Sequence, residues 1–227
     1  MSERFEQGAA AVVDAVAERG IVPVVELQSA GDAKPLVEAL LAAGLDVVEI
    51  TLRTAAGLDG IRVAREAYPN ALVGAGTVRT TADAAAVLDA GAAFVVSPGL
   101  NPEIVELCRS RGVCVLPGTC TPTEVDAAVR AGADAVKFFP AEAMGGTAFL
   151  KALAGPFRDV RFVPTGGINA ANLADYLRLP QVIACGGSWM VAPALLREGR
   201  YGDVERLTRE ALAIVRGVRD EKGGSDG

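Results

Sequence analysis

The sequence predicts an α/β fold, a single-domain (β/α)8 barrel, and three observations carry that prediction. Short β-type runs rich in Val, Ile and Phe recur about every 20 to 27 residues, the length of one βα unit. Between them lie stretches of Ala, Leu, Val and Glu with apolar residues at i, i+3 and i+4, the spacing of a helix that buries one face. Several of these stretches stop at a glycine, as in LLAAGLD, LDAGAAF, RSRGVCV and VRAGADA, where a left-handed cap turns the chain into the next strand.

In chain order the strands are expected in IVPVVEL from Ile21, DVVEITLR from Asp46, ALVGAGT from Ala71, AFVVSPG from Ala93, VCVLPGT from Val113, DAVKFFP from Asp134, VRFVPTGG from Val160 and VIACGGS from Val182. Eight such runs alternating with helices fit a closed barrel of βα units. The rival is an open, doubly wound sheet, which would carry a dinucleotide fingerprint after its first strand; VPVVELQSAGDA has none. Residues 3–19 read as an extra amphipathic helix before the barrel and residues 202–216 as the last helix. The barrel domain is expected over residues 1–220, and the tail EKGGSDG, residues 221–227, reads as disordered.

With 227 residues, 51% of them hydrophobic, the chain is long enough to bury a large core. Its net charge of −6 and singly scattered arginines make no basic patch, so the expected partner is a small molecule and not nucleic acid. No charged leader followed by an apolar segment opens the sequence, and no apolar run approaches the ~18 to 20 residues of a membrane span, so a cytoplasmic protein with no membrane partner is expected. Cys108, Cys114, Cys120 and Cys185 form no CxxC pair and read as reduced thiols in the core. Histidine is absent, which leaves carboxylates, Lys, Tyr and Cys for proton transfer. Carboxylates alone could hold a metal, but they show no clustered signature.

Functional groups of such barrels stand at the C-terminal ends of strands, where alternate residues face inward. In DVVEITLR, Val48, Ile50 and Leu52 share one apolar face, while Val47, Glu49, Thr51 and Arg53 share the other. Glu49 and Arg53 are therefore expected in the barrel mouth, either as working groups or as a buried pair that only fixes packing. Lys137 holds the corresponding place in DAVKFFP, in phase with Ala135 and Phe139; Lys34, Lys151 and Lys222 fall in helices or the tail. A lysine lined by phenylalanine is poorly solvated, which favours the neutral amine, the form that attacks a carbonyl. The alternatives are a snorkelling strand-end lysine or a partner for Glu49 with no covalent role. Arginine far outnumbers lysine in this chain, so a lysine kept in a core strand points to a place where a permanently charged guanidinium would not serve. The last two strands end in PTGGIN and CGGSWM, two glycine pairs suited to a phosphate site, although such pairs also serve as plain turns.

The segments EITLRT, VGAGTV, SPG, KFFPAE, GPF, PTGGI and GGSW stand in the order, and near the spacing, of the 2-dehydro-3-deoxy-6-phosphogluconate (KDPG) and 4-hydroxy-2-oxoglutarate (KHG) aldolase family, which the chain resembles from about Ile21 to Val191. The resemblance implies a cofactor-free, metal-free class I aldolase on a homotrimeric TIM barrel. It implies cleavage of KDPG, a phosphorylated 2-oxo acid of the Entner–Doudoroff pathway, to pyruvate and glyceraldehyde 3-phosphate. The family's Schiff-base lysine falls on Lys137 and its acid/base glutamate on Glu49. Its substrate contacts fall on Arg53, Thr77, Pro98, Phe139 and Thr165, and its phosphate loops on Gly166, Gly167, Gly187 and Ser188. One position departs: Glu26 stands where several relatives carry an arginine or a neutral residue, and a carboxylate facing the pocket would repel phosphate. Aldolase activity on KHG or on the galactonate epimer of KDPG is the enzymatic alternative. A non-catalytic phosphometabolite-binding barrel is the other.

Overall fold

The computed structural model describes residues 8–223 and builds nine short strands and ten α-helices among them. The strands are β1 (Ile21–Val25), β2 (Val47–Thr51), β3 (Leu72–Gly76), β4 (Phe94–Val96), β5 (Cys114–Leu116), β6 (Gly118–Thr119), β7 (Val136–Phe138), β8 (Phe162–Pro164) and β9 (Cys185–Gly187). The helices are α1 (Ala9–Arg19), α2 (Ala33–Ala42), α3 (Ala56–Ala67), α4 (Thr81–Asp89), α5 (Pro102–Ser110), α6 (Pro122–Ala131), α7 (Gly146–Ala154), α8 (Leu173–Leu177), α9 (Pro193–Arg197) and α10 (Tyr201–Gly223). Every strand residue is buried, as expected of parallel strands covered on both faces.

All strand pairs are parallel. One sheet runs β5-β4-β3-β2-β1-β9, the other β6-β7-β8. From β1 to β5 each new strand is added on the same side, without the reversal of a doubly wound sheet. Only Pro117 separates β5 from β6; its carbonyl accepts from the Lys137 N–H at 2.9 Å, but it has no N–H to return. At the other side, bridges Phe162↔Val182 and Thr165↔Gly186 tie the β8 chain to the approach of β9.

Local chemistry explains where the helices begin and end. Thr80 and Thr121 cap α4 and α6 with reciprocal bonds to Asp83 and Glu124, and Asn101 caps α5 ahead of Pro102. The four predicted stop glycines, Gly44, Gly91, Gly112 and Gly132, all have φ between 68 and 92°. Cys108, Cys114 and Cys185 are buried free thiols, while Cys120 is half-buried. Burial, helped by Asp134, pushes the Cys108 thiol up to about 11. No helix among the described residues is long and apolar enough to cross a membrane.

Both chain ends differ from the sequence expectation. Gly8 is extended (ψ 158°), so the described part of the first helix starts at Ala9; residues 3–7 of the expected helix lie outside the described residues. The last helix continues past residue 216 to Gly223, so residues 221–223 are helical where composition suggests a disordered tail. Contacts with α8 account for this: Arg178 Nε donates to Glu221 at 3.2 Å and Lys222 Nζ to the Leu177 carbonyl at 2.8 Å. Residues 224–227 lie outside the described residues.

The N-terminal helix is fastened to the start of β2 by Arg19, whose Nε and Nη2 donate to the two Asp46 carboxylate oxygens at 2.7 and 2.8 Å. This hydrogen bonding holds the Asp46 carboxyl below its ordinary range. A depressed carboxylate contributes stability above its unfolded value of about 3.9 and loses it as pH falls through the folded value. Asp46→Asn should therefore cost ~1 kcal/mol near neutral pH, since the pair is partly solvated. Urea melts should show the gap between variant and parent closing below pH ~4; a gap independent of pH would leave the pair without an electrostatic role.

Candidate active site

Lys137 is the middle residue of β7, with Gly118 of β6 opposite it on one side and Val163 of β8 on the other. Glu49 is the middle residue of β2 and stands opposite Val24 of β1 and Gly74 of β3. These two strands lie in different sheets, yet the side chains meet: Lys137 Nζ is 3.5 Å from Glu49 Oε1, with side-chain exposures of 6% and 4%. Glu49 Oε1 is itself buried and has no hydrogen-bond partner. A buried carboxylate oxygen with no hydrogen-bond partner keeps lone pairs able to accept a donor, which is uncommon in a packed interior.

The surroundings shape this pair. The Phe139 ring centroid lies 5.1 Å from Lys137 Nζ, whereas Phe138 points the other way and stacks on Phe149 of α7 at 5.9 Å. One of the two phenylalanines thus lines the lysine, because strand alternation sends its neighbour to the helix layer. Gly76 ends β3 directly against the carboxyl group: a Cβ there would lie 2.1 Å from Glu49 Oε1. Thr77 follows with φ 58°, the sole described non-glycine residue in the left-handed region. For a β-branched residue this conformation is strained, and such strain is concentrated at functional sites.

The remaining predicted residues stand at the same ends of the strands. Pro98 follows β4, and its carbonyl packs so closely on Gly118 that a Cβ there would lie 2.2 Å away. Thr165 follows β8, is 8% exposed and donates its N–H to the Phe138 carbonyl at 2.9 Å. Its bridge partner, Gly186, leaves only enough room for the Thr165 hydroxyl. Two residues beyond that bridge on each chain stand Gly167 and Ser188, whose backbone N–H groups have no acceptor among the described residues. Gly166 and Gly167 both have positive φ, at 101° and 81°.

Arg53 does not follow the expected strand phase. The strand stops at Thr51, the chain turns, and the Arg53 side chain is exposed, without a hydrogen bond or ion pair to another described residue. The Glu49/Arg53 packing pair is therefore not formed; Lys137 takes that place beside Glu49. Glu26 is half-buried just beyond β1, with its Oε1 accepting from Gln28 Nε2 at 3.3 Å. It follows Pro23 by three residues, and Pro23 is paired with Gly187, so this carboxylate belongs to the strand end neighbouring the Gly187–Ser188 loop.

Sequence reasoning passed over Gly76 and Gly186. Both belong to motifs that carry the family resemblance, but their packing against Glu49 and Thr165 has no local signature. A separate cleft of about 840 Å³, lined by Arg62, Arg65, Leu72 and Arg111 among others, lies at the opposite ends of the strands and contains none of these groups. Among the described residues no cluster of three or more His, Cys, Asp or Glu is placed to hold a metal.

Comparison with known proteins gives the family. A family model described as KDPG and KHG aldolase matches residues 12–207. The 2-dehydro-3-deoxy-phosphogluconate aldolase of Haemophilus influenzae is 43% identical over 205 residues, covering 90% of this chain and 97% of that protein. Its counterpart from Treponema pallidum is 45% identical over 204 residues, with the same coverage of 90% and 97%. The crystal structure of KDPG aldolase from Legionella pneumophila, with pyruvate captured at low pH as a covalent carbinolamine intermediate, matches with a TM-score of 0.86 at 36% identity, covering 91% of this chain and 99% of that one. This chain belongs to the KDPG and KHG aldolase family.

Proposed function

We propose that the protein is a class I aldolase that cleaves KDPG to pyruvate and glyceraldehyde 3-phosphate, with Lys137 as the imine-forming residue and Glu49 as the acid and base. The observation that carries this reading is the 3.5 Å approach of two buried groups, one an amine and the other a carboxylate with an unpartnered oxygen. The scaffold we infer is a closed (β/α)8 barrel: β6 continues β5 past Pro117, and the bridges between β8 and β9 complete the circuit. The same reading carries the expectation of a homotrimer working in the cytoplasm.

The proton inventory closes on these two residues. Transfer of the Lys137 proton to Glu49 leaves a neutral amine and a neutral acid, which removes two charges from a buried setting. The amine attacks the C2 ketone; its proton passes to the carbonyl oxygen, giving a carbinolamine. Glu49 then protonates the departing hydroxyl, and water leaves an iminium that draws electrons from the C3–C4 bond. The carboxylate so regenerated takes the C4 hydroxyl proton, the bond breaks, and the aldehyde departs. Glu49 returns that proton to C3 of the enamine, and hydrolysis of the pyruvate imine frees Lys137.

The neighbours divide the binding. Arg53 and Thr77 take the 2-oxo acid carboxylate, the guanidinium supplying charge-assisted donors from an exposed turn at the mouth. Pro98, Phe139 and Thr165 line the substrate chain. Gly166, Gly167, Gly187 and Ser188 receive the phosphate, and the open N–H groups of Gly167 and Ser188 support that assignment. Glu26 opposes it, which narrows the margin over unphosphorylated KHG. Unit charges ~6 to 8 Å apart repel by ~2 kcal/mol at an effective dielectric near 20, which limits the effect to ~30-fold in affinity. A site with several N–H donors survives that, so KDPG remains the preferred substrate.

Incubation with pyruvate and borohydride, then peptide mapping, should place the reduced adduct on Lys137; label on Lys34, Lys151 or Lys222, or no label, would refute the assignment. Lys137→Arg should fold and lose turnover by at least ~10³-fold, because a guanidinium supplies no neutral amine. Glu49→Gln should lower kcat by ~10² to 10⁴-fold. Gly76→Ala should lower it through the displaced carboxyl group alone; unchanged kcat in both variants would make Glu49 structural. For Glu26→Gln, the expected result is a lower KM for KDPG with that for KHG nearly constant. Parallel shifts for the two substrates would show that Glu26 does not sense the phosphate.

A further inference from the structure

One buried titratable group beside the proposed phosphate loop has no part in the chemistry above. Tyr176, in α8, is 0% exposed, and its hydroxyl donates to Oε1 of Glu142, a residue otherwise exposed in the turn after β7. Burial, with the hydrogen bond to Glu142 second, pushes the phenol's ionisation upward, so the hydroxyl stays a donor throughout the working pH range. Neutral phenol and carboxylate make a charge-assisted bond. Gly146, at the start of α7, packs over it: a Cβ there would lie 3.2 Å from Glu142 Oε1 and 3.6 Å from the Tyr176 hydroxyl.

The other side of Glu142 supports the glycine pair. Its N–H donates to the Gly166 carbonyl at 3.0 Å, and the preceding Ala141 N–H to the Thr165 carbonyl at 2.8 Å. A Cβ at Gly167 would lie 2.6 Å from both Cβ and Cγ of Glu142, so the loop rests on that side chain's methylene groups. Gly166 and Gly167 carry no side chains to fix their own position. An exposed glutamate is ordinarily free to change rotamer; here Tyr176 fixes the far end of the very side chain on which the loop lies.

We propose that Tyr176 and Glu142 form a latch that positions the Gly166–Gly167 loop, making Tyr176 a positioning residue for selectivity toward phosphorylated 2-oxo acids. The latch touches neither the imine-forming amine nor the acid/base carboxylate. Its effect is therefore confined to the phosphate end of the substrate. This inference rests on the reading of that loop as the phosphate site.

The test compares KDPG with KHG in Tyr176→Phe, which keeps the buried ring and deletes only the hydroxyl, and in Glu142→Ala and Glu142→Gln. Tyr176→Phe and Glu142→Ala should raise KM for KDPG about tenfold, the equivalent of one lost charge-assisted bond, while KM for KHG and the rate of borohydride trapping with pyruvate stay within about twofold. Glu142→Gln keeps an oxygen acceptor for the phenol and should restore most of the KDPG affinity. Equal KM shifts for both substrates, an unchanged KM for KDPG, or failure of glutamine to outperform alanine would overturn the latch. Because Glu142 is exposed, its variants answer the question even if Tyr176→Phe folds poorly. The parent enzyme separates the two levels of the argument: with no preference for KDPG over KHG and no competition by inorganic phosphate, the phosphate reading falls and the latch with it. With both present and the variants silent, only the latch falls.

Discussion

The buried pair of Lys137 and Glu49 is the constraint to which the rest of this structure answers. At 3.5 Å and an effective dielectric near 20, opposite unit charges attract by about 5 kcal/mol. Taking each ion out of water costs several kcal/mol. Summed over both ions the cost matches or exceeds the attraction, so the pair adds no net stability to the fold and would be replaceable by packed hydrocarbon if stability were its only purpose. Removing one member is another matter, since the survivor is left buried and unpaired. On the proposed function the pair is chemistry that the fold tolerates, and the unpartnered Glu49 Oε1 marks where the compensation is incomplete.

Tolerating it requires rigid placement, and the parallel strands supply that. Lys137 and Glu49 each sit in the middle of a fully buried strand, so their backbones are held by ladders on both sides. The residues proposed to handle substrate stand slightly later, where strands give way to turns: Arg53, Thr77, Pro98, Thr165 and Ser188 all follow a strand's last residue. On the proposed assignments, reacting groups on strands and binding groups on loops divide precision from adaptability. The left-handed Thr77 fits this division, a strained residue that the packed strand ends hold in place.

Close approach does much of the positioning. Gly76 lets the β3 backbone touch the Glu49 carboxyl group, Gly186 does the same for the Thr165 hydroxyl, and Gly167 lies on Glu142. Each contact joins elements distant along the chain. A Cβ at any of the three positions would displace the neighbour, which gives a physical reason for the glycines in VGAGT, GGI and GGS beyond flexibility.

Periodicity alone determined the alternation of strands and helices, the helix-ending glycines and the inward phase of Glu49 and Lys137, because these depend on residues within a few positions of one another. Local spacing fails where the next contact comes from elsewhere. Arg53 left the strand phase because the ladder ended at Thr51, and the last helix outran its amphipathic pattern because α8 offered partners to Glu221 and Lys222. The sequence could nominate Lys137 as a reactive amine and raise Glu49 as its partner among other readings, but it could not decide that the two meet. Nor could it separate Tyr176, a single aromatic in a short helix, from ordinary core. Only the tertiary structure brings the side chains of Glu49 and Lys137 together from separate sheets and sets Tyr176 of α8 against the turn after β7, since burial and proximity arise from packing strands and helices whose order in space no local pattern encodes.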